Sequence, residues 1–365
     1  VLVIGPANYP LFLPGVQVLQ ALCAGNAVTW KPGLGGEPVA RLFARALAEA
    51  GLPGGLLRVT DDSLDAAREA IAQHPDKIFF TGSAESGRAV LRAAAETATP
   101  VVAELSGCDA VIALPSADPE RVIAALAFGM RLNGSATCMA PRRLVLVGWD
   151  SAFIARLRDA LAFVPAVALT EKVREQLAEL VRDAEAHGAT VYGANETHSL
   201  RTRPVLITNA RPEMRCMQAD IFAPVLSVMQ TADAEAALAA EARCPLSLTV
   251  AIFGDAAQAL ALADRIQAGT VIVNDLIVPT ADPRIPFAPR RGSGFGATRG
   301  AEGLLDMTAI KTVLVRRGKS RRHLQPTGDA HAAFFDGIIR AGHGSDWRER
   351  LRGVREMITA GKKLE

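Results

Sequence analysis

Short apolar runs alternate with helical patterns through the first third of the chain, and this alternation limits the possible folds more than any other feature. Val1–Ile4, Ala27–Trp30, Leu56–Val59, Lys77–Phe80 and Val101–Leu105 read as strands without polar alternation, the pattern of strands buried on both faces. Helical stretches lie between them. In the clearest, Val39, Leu42, Phe43, Ala46 and Leu47 recur at helical spacing, and Gly51 and Pro53 follow as stop signals. That spacing predicts a helix with one buried stripe.

Strand–helix–strand repetition with right-handed crossovers produces an open parallel sheet with helices on each side. The expected fold class is therefore α/β, with a Rossmann-like open-sheet domain over residues 1–108 and a second α/β domain over residues 109–308. In the second, Asp118–Arg131, Glu171–Ala186 and Ala256–Gln267 read as helices, and Leu144–Val147, Leu248–Phe253 and Val271–Val273 as strands. Ile310–Val315 reads as one more strand within residues 309–316, and residues 317–365 as a basic, helical tail. The 365 residues exceed what one compact core usually holds, which agrees with two domains.

Charge excludes some functions. Forty Lys and Arg stand against 38 Asp and Glu, so the basic excess of a dedicated nucleic-acid binder is missing. The tail is different: from Arg316 to the end, 12 basic residues face 6 acidic ones. Residues 1–30 carry no charge, but Pro6, Asn8, Pro10, Pro14 and Gly15 interrupt them and no basic segment precedes them. A buried strand and a core helix fit better than a membrane span or a signal peptide. Neither a nucleic-acid nor a membrane partner is expected. Val1 lies inside what reads as a strand and is not Met, so further residues are expected to precede it.

The five cysteines, Cys23, Cys108, Cys138, Cys216 and Cys244, are scattered without CxxC spacing, and the six histidines form no HxxxH pair. A metal site and a disulfide framework are not supported, and a reduced, cytoplasmic compartment is expected. An important thiol would then be a nucleophile. Cys138 sits in a turn of small residues between a helix and a strand, where Arg142 and Arg143 would lower its pKa if they pointed inward. A small core residue is the ordinary alternative. Glu104 ends an apolar strand, where ligands of open parallel sheets bind and burial would raise its pKa toward that of a general base. A solvated strand end is the alternative there. Phe79 to Ser83 joins a strand to a helix, with Ser83 as N-cap and the helix start open to a phosphate. Lys31 could reach a ribose or simply be a loop lysine. Where a dinucleotide fold would normally show GxGxxG, the first strand leads into Ile4-Gly5-Pro6-Ala7-Asn8-Tyr9-Pro10.

Taken in order, these blocks resemble the aldehyde dehydrogenase superfamily. The resemblance rests on Gly5 to Pro10, Gly25-Asn26-Ala27-Val28 with Lys31-Pro32, Phe80-Thr81-Gly82-Ser83 with Gly87-Arg88, and Glu104-Leu105-Ser106-Gly107. It continues with Asn133 to Cys138 and Arg143, Asp220-Ile221-Phe222-Ala223-Pro224-Val225, Gly269-Thr270-Val271 with Asn274, Pro286-Phe287, Ser293-Gly294-Phe295-Gly296, and Lys311-Thr312-Val313. It spans nearly all of residues 1–315 and excludes the tail.

The resemblance implies NAD(P)-dependent oxidation of a small-molecule aldehyde to an acid through a thioester on Cys138, with Glu104 activating the hydrolytic water and Asn8 donating to the oxyanion. It also implies cofactor contacts at Ile4, Lys31, Thr81, Gly82, Ser83, Asp220 and Phe222. Lys31 matches the lysine of the adenosine ribose, Gly82 and Ser83 the pair near the pyrophosphate, and Phe222 the aromatic beside the nicotinamide ribose. Asp220 stands where the family commonly has Glu, so its reach to that ribose is shorter by about 1.5 Å. The acidic Thr60-Asp61-Asp62-Ser63 loop favours NAD over NADP. Transfer of the thioester to coenzyme A, and a non-catalytic binding subunit, are the alternatives. Such proteins form homodimers or homotetramers through a strand matching Ile310–Val315. The chain departs from the pattern at Ala7 and Ala136, in a short Ser151–Pro212 segment, and in the missing N-terminal portion.

Overall fold

The computed structural model describes residues 1–193, 200–318, 324 and 326–364. It contains two compact units, Val1–Ala309 and Ile310–Glu365.

The first unit opens with the alternation β1 (Leu2–Ile4), α1 (Phe12–Cys23), β2 (Val28–Lys31), α2 (Glu37–Glu49), β3 (Leu57–Val59), α3 (Leu64–Ala72), β4 (Ile78–Thr81), α4 (Ala84–Ala95) and β5 (Val101–Glu104). These strands pair in parallel in the order β5-β4-β1-β2-β3. Period-two alternation divides the core between two faces. Leu2, Ile4, Ile78, Phe80 and Ala103 pack with Ala70, Ile71, Val90 and Ala94 from α3 and α4. Val3, Trp30, Phe79 and Val102 pack with Val18, Ala21 and Ala40 from α1 and α2. Because both faces are covered, the sequence shows continuous apolar runs.

A second sheet begins at β6 (Asp109–Ala113), followed by α5 (Pro119–Arg131) and β7 (Pro141–Val147). It has seven strands and is parallel except for the Thr190–Tyr192 edge. Its core includes Val111, Leu126, Met130, Leu144, Leu146 and Phe253.

The structure differs from the sequence expectations in four places. The helix from Ala256 ends at Ala263 instead of Gln267. The stripe of α2 is only partly covered, with Ala40 buried and Leu42 55% exposed, because no described element packs over that outer face. The chain also re-enters the first sheet inside the stretch assigned to the second domain. Gly294–Phe295 pairs antiparallel with β5, and the helix Gly300–Asp306 is tied to α1 by the Gln20 Nε2 bond to Gly300 O (2.8 Å). Finally, Ile310–Val315 has no strand pairing, with Ile310 98% and Leu314 90% exposed. Strand propensity alone leaves ladder groups unsatisfied, and an edge to pair with is what makes a strand.

The second unit is a helical hairpin, Asp329–His343 and Trp347–Gly361. Gly337 and Gly353 let the helices touch, since a Cβ on Gly353 would lie 2.3 Å from Ala341 N and one on Gly337 2.6 Å from Met357 N. Arg340 Nη1 pairs with Glu356 Oε1 at 2.8 Å. Replacing Gly353 with Leu should splay the hairpin. Limited proteolysis of the full chain should then cut within residues 329–361 earlier than in the parent, with Val1–Ala309 protected as before; an unchanged pattern would refute the close approach.

Candidate active site

Four of the loops expected to matter lie at the carboxyl ends of parallel strands, where open sheets bind ligands. Gly5–Asn8 follows β1, Lys31 ends β2, Thr81–Ser83 closes β4, and Glu104 ends β5. The first two loops touch. A Cβ on Gly33 would lie 2.2 Å from the carbonyl carbon of Pro6, so only glycine allows that approach.

The Cys138 loop comes from the second sheet, between α5 and β7. Asn133, Gly134 and Ser135 all have positive φ (49°, 61° and 63°), a turn that Asn and Gly accept readily and Ser does not. The buried Arg142 holds it: Nη1 donates to Ser135 Oγ (2.7 Å) and Ala223 O (2.9 Å), and Nη2 to Ser135 O (2.7 Å). Its Nε donates to Asp220 Oδ1 at 2.8 Å. Asn8 meets this loop directly. Asn8 Nδ2 donates to Ala136 O (2.9 Å), Asn133 Nδ2 donates to Asn8 O (3.1 Å), and the Tyr9 and Thr137 hydroxyls are 2.7 Å apart. The structure thus brings Asn8 to within two residues of Cys138.

Glu104 is 2% exposed, and its Oε2 accepts from Thr298 Oγ1 (3.2 Å). Burial pushes its carboxyl above the usual range, opposed by the Arg299 guanidinium and by hydrogen bonds from Thr298 and Thr81. Burial also pushes the Cys138 thiol well up, with Glu104, Asp109 and Asp220 acting in the same direction and Arg299 against them. By sequence, Arg142 and Arg143 would lower this thiol if they pointed toward it. They do not, because Arg142 is consumed by the turn and Asp220, while Arg143 Nε donates to Cys108 O (2.7 Å) and its guanidinium lies near Glu241. Three other thiols are perturbed: Cys244 is lowered by its bond with Cys108, which is raised in turn, and burial raises Cys216.

At the remaining expected positions, Lys31 is buried and its amine is lowered by desolvation, with Asp62 and Asp61 acting to raise it. The Ser83 hydroxyl caps α4 through Ser86 N at 3.1 Å. Thr81 is buried and accepts from Gln17 Nε2 (3.2 Å), and Gly82 packs over the Phe80 ring. The Ile4 side chain is part of the core, which leaves only its main chain for a ligand. Phe222 is half-buried. Asp220 is fixed by Arg142, and its Oδ2 is buried without a hydrogen-bond partner. Among the described residues no group of three or more His, Cys, Asp or Glu is placed to hold a metal. No described helix is long and apolar enough to cross a membrane.

The sequence pattern of the aldehyde dehydrogenase family matches residues 1–313. The chain belongs to this family. It is 32% identical over 330 residues to 4,4'-diapolycopene aldehyde oxidase of a Methylomonas species, covering 87% of this chain and 62% of that protein. The NAD-dependent aldehyde dehydrogenase from Sinorhizobium meliloti superimposes with a TM-score of 0.80 at 26% identity, over 87% of this chain and 67% of the other. Mycobacterium tuberculosis aldehyde dehydrogenase, solved in complex with NAD+, gives 0.80 at 25%, over 87% and 69%. This chain therefore spans 62–69% of the length of these relatives. Its two sheets are the Rossmann-type and catalytic α/β layers of the aldehyde dehydrogenase fold.

Three residues around the site escaped sequence reasoning: Thr298, Arg299 and Asp109. Asp109 showed the signal that singled out Glu104, a lone carboxylate at one end of an apolar strand. Thr298 and Arg299 showed none, being remote in the chain from everything they touch. Asp109 accepts from Thr249 N (3.1 Å) and from the Thr249 hydroxyl, and burial pushes it up to about 8 from an ordinary 3.8. Folding therefore takes up a proton at Asp109 between those values, and the stability this contributes is present in acid and lost as pH rises toward 8. Asp109→Asn, neutral throughout, should gain stability over the parent progressively from pH 5 to pH 8, by at most about 1.4 kcal/mol per pH unit, read as a Tm difference that widens with pH. A difference that does not vary with pH would contradict this.

Proposed function

We propose that this chain oxidises an aldehyde to a carboxylic acid through a thioester on Cys138, with NAD as the preferred hydride acceptor. The observation that carries the reading is the Asn8 Nδ2 bond to Ala136 O, which brings a side-chain amide beside the cysteine loop. Buried Glu104 interacts electrostatically with the same thiol.

In this reading the Cys138 thiol loses its proton to solvent and the thiolate attacks the carbonyl carbon, forming the S–C bond as the C=O π pair moves onto oxygen. The resulting oxyanion is met by the Cys138 N–H and the second Nδ2 hydrogen of Asn8. NAD, when bound, would supply the hydride acceptor that lets this tetrahedral adduct on Cys138 collapse to the thioester. Glu104 then removes a proton from the attacking water, and the thiolate leaves as the acid forms. A carboxyl raised by burial and held by Thr298 suits that role.

The residues present fit the dinucleotide. Lys31, Thr81, Gly82 and Ser83 would hold its adenosine and pyrophosphate portion, and Asp220 Oδ2 and Phe222 its nicotinamide ribose. Asp61 and Asp62 are close enough to Lys31 to act on its charge, which disfavours an added 2′-phosphate. We expect NADP to bind at least about tenfold more weakly than NAD, as read by fluorescence titration; equal affinities would reject the preference. The exposed Ile310–Val315 segment is the one we expect to pair with a second copy in a homodimer or homotetramer.

Cys138→Ala should abolish aldehyde-dependent cofactor reduction, and Asn8→Ala should lower kcat by about a hundredfold. Glu104→Gln should leave a burst of cofactor reduction followed by slow turnover. Because burial raises both Glu104 and Cys138, activity should climb with pH through the neutral range toward an alkaline optimum. Full turnover by Cys138→Ala would refute the mechanism.

A further inference from the structure

Arg299 plays no part in the mechanism above, yet among the described arginines it alone combines burial with backbone in the ε region. It is 3% exposed, and its backbone (φ 65°, ψ 174°) lies in a region essentially reserved for glycine. Gly300 follows immediately with positive φ of its own (60°), so two successive residues carry left-handed backbone and only the second is a glycine. The strain is maintained by fixed contacts. Arg299 N donates to Gln20 Oε1 (3.2 Å), Nη1 donates to Thr280 O, and the guanidinium lies over the Phe287 ring (4.7 Å to its centre) and near the Phe12 ring (5.8 Å). Its Nε is buried without a hydrogen-bond partner.

These contacts lead to both reacting groups. The preceding residue, Thr298, donates to Glu104 Oε2, and Thr280 Oγ1 contacts Met139 Sδ (3.4 Å), next to Cys138. The guanidinium also interacts with Glu104 and Cys138 themselves. The groups acting on the Cys138 thiol are Glu104, Asp109 and Asp220, all carboxyls, and Arg299, the only cation among them. A carboxylate beside a thiol opposes formation of the thiolate, and a fixed, desolvated cation offsets that opposition.

We propose that Arg299 is the charge-setting positioning residue of this site: its guanidinium, immobilised on Thr280 O and the Phe287 ring between the segment that holds Glu104 and the segment beside Cys138, is the fixed cation shared by the two reacting groups. Arg142 and Arg143, although nearer in sequence, are neutralised by Asp220 and Glu241. The proposal deepens the functional reading above and adopts its assignment of Cys138, but its test needs neither aldehyde nor cofactor.

The test is the pH dependence of Cys138 alkylation by iodoacetamide, followed by peptide mass with Cys138→Ala as the blank. In Arg299→Met the midpoint should move up by about one unit, so that alkylation at a fixed pH below it slows roughly tenfold. Arg299→Lys, which keeps the charge, should recover most of the rate. If the Met variant does not fold, Arg299→Gln, able to retain the bond to Thr280, carries the same expectation. In Glu104→Gln, where the opposing carboxylate is gone, the midpoint should fall. A folded neutral variant with the parent's midpoint overturns the proposal. A shifted midpoint in a protein that oxidises no aldehyde would sustain it and reject the function instead.

Discussion

The site depends on one buried guanidinium. Arg142 binds both the carbonyl and the hydroxyl of Ser135, the carbonyl of Ala223 and the carboxylate of Asp220. A turn with three successive positive φ values does not hold its shape unaided, and Ser135 within it is 0% exposed. Each such residue outside glycine costs on the order of 1 kcal/mol or more. The hydrogen bonds from Arg142 set this strain in one geometry, which fixes where Ala136 O, and therefore Asn8, meets the cysteine loop. Removing either member of the Arg142–Asp220 pair would leave an uncompensated buried charge, a loss of about 3–5 kcal/mol. The same pair ties the cysteine loop to the segment carrying Phe222, so the proposed nucleophile and the nicotinamide side of the proposed cofactor site share one anchor.

Burial organises the electrostatics around that anchor. Glu104, Asp109 and Asp220 are all raised chiefly by desolvation, and all three act on the Cys138 thiol in the same direction. A site dense in carboxyls would hold a neutral thiol and an inert acid without a compensating cation. Two of the three nearby arginines are committed to carboxylates of their own. Arg299, stacked on aromatic rings and short of hydrogen-bond partners, remains to act on the reacting groups. Its backbone strain and its electrostatic position are thus two aspects of one arrangement.

Exposed apolar segments occur in both units. The face of α2 with Leu42, and the extended Ile310–Val315 segment, are apolar in sequence and exposed in the single chain. Propensity and periodicity identify such segments as structural, but burial requires a neighbour. The first sheet shows the contrary case. Its strands have helices on both faces, and there the apolar runs supply the core at Leu2, Val3, Ile4, Val28, Trp30, Ile78, Phe79, Phe80, Val102 and Ala103, while the edge strand Leu57–Val59 is only half-covered.

The sequence by itself determined the alternation of strands and helices, the two-sheet architecture, the capping role of Ser83 and the family, because each rests on local periodicity or on short ordered motifs. It also singled out Asn8, Glu104 and Cys138. The return of Gly294–Phe295 to the first sheet, the use of Arg142 and Arg143 in the scaffold, and the arrival of Thr298 and Arg299 beside Glu104 were decided only by the tertiary structure. These depend on contacts between residues some 80 to nearly 200 positions apart, and nothing in local sequence specifies which distant carbonyl, ring or carboxylate a buried arginine will meet. The strength and direction of each pKa shift follow from that same packing, since desolvation and the nearest charges exist only once the chain has closed around them.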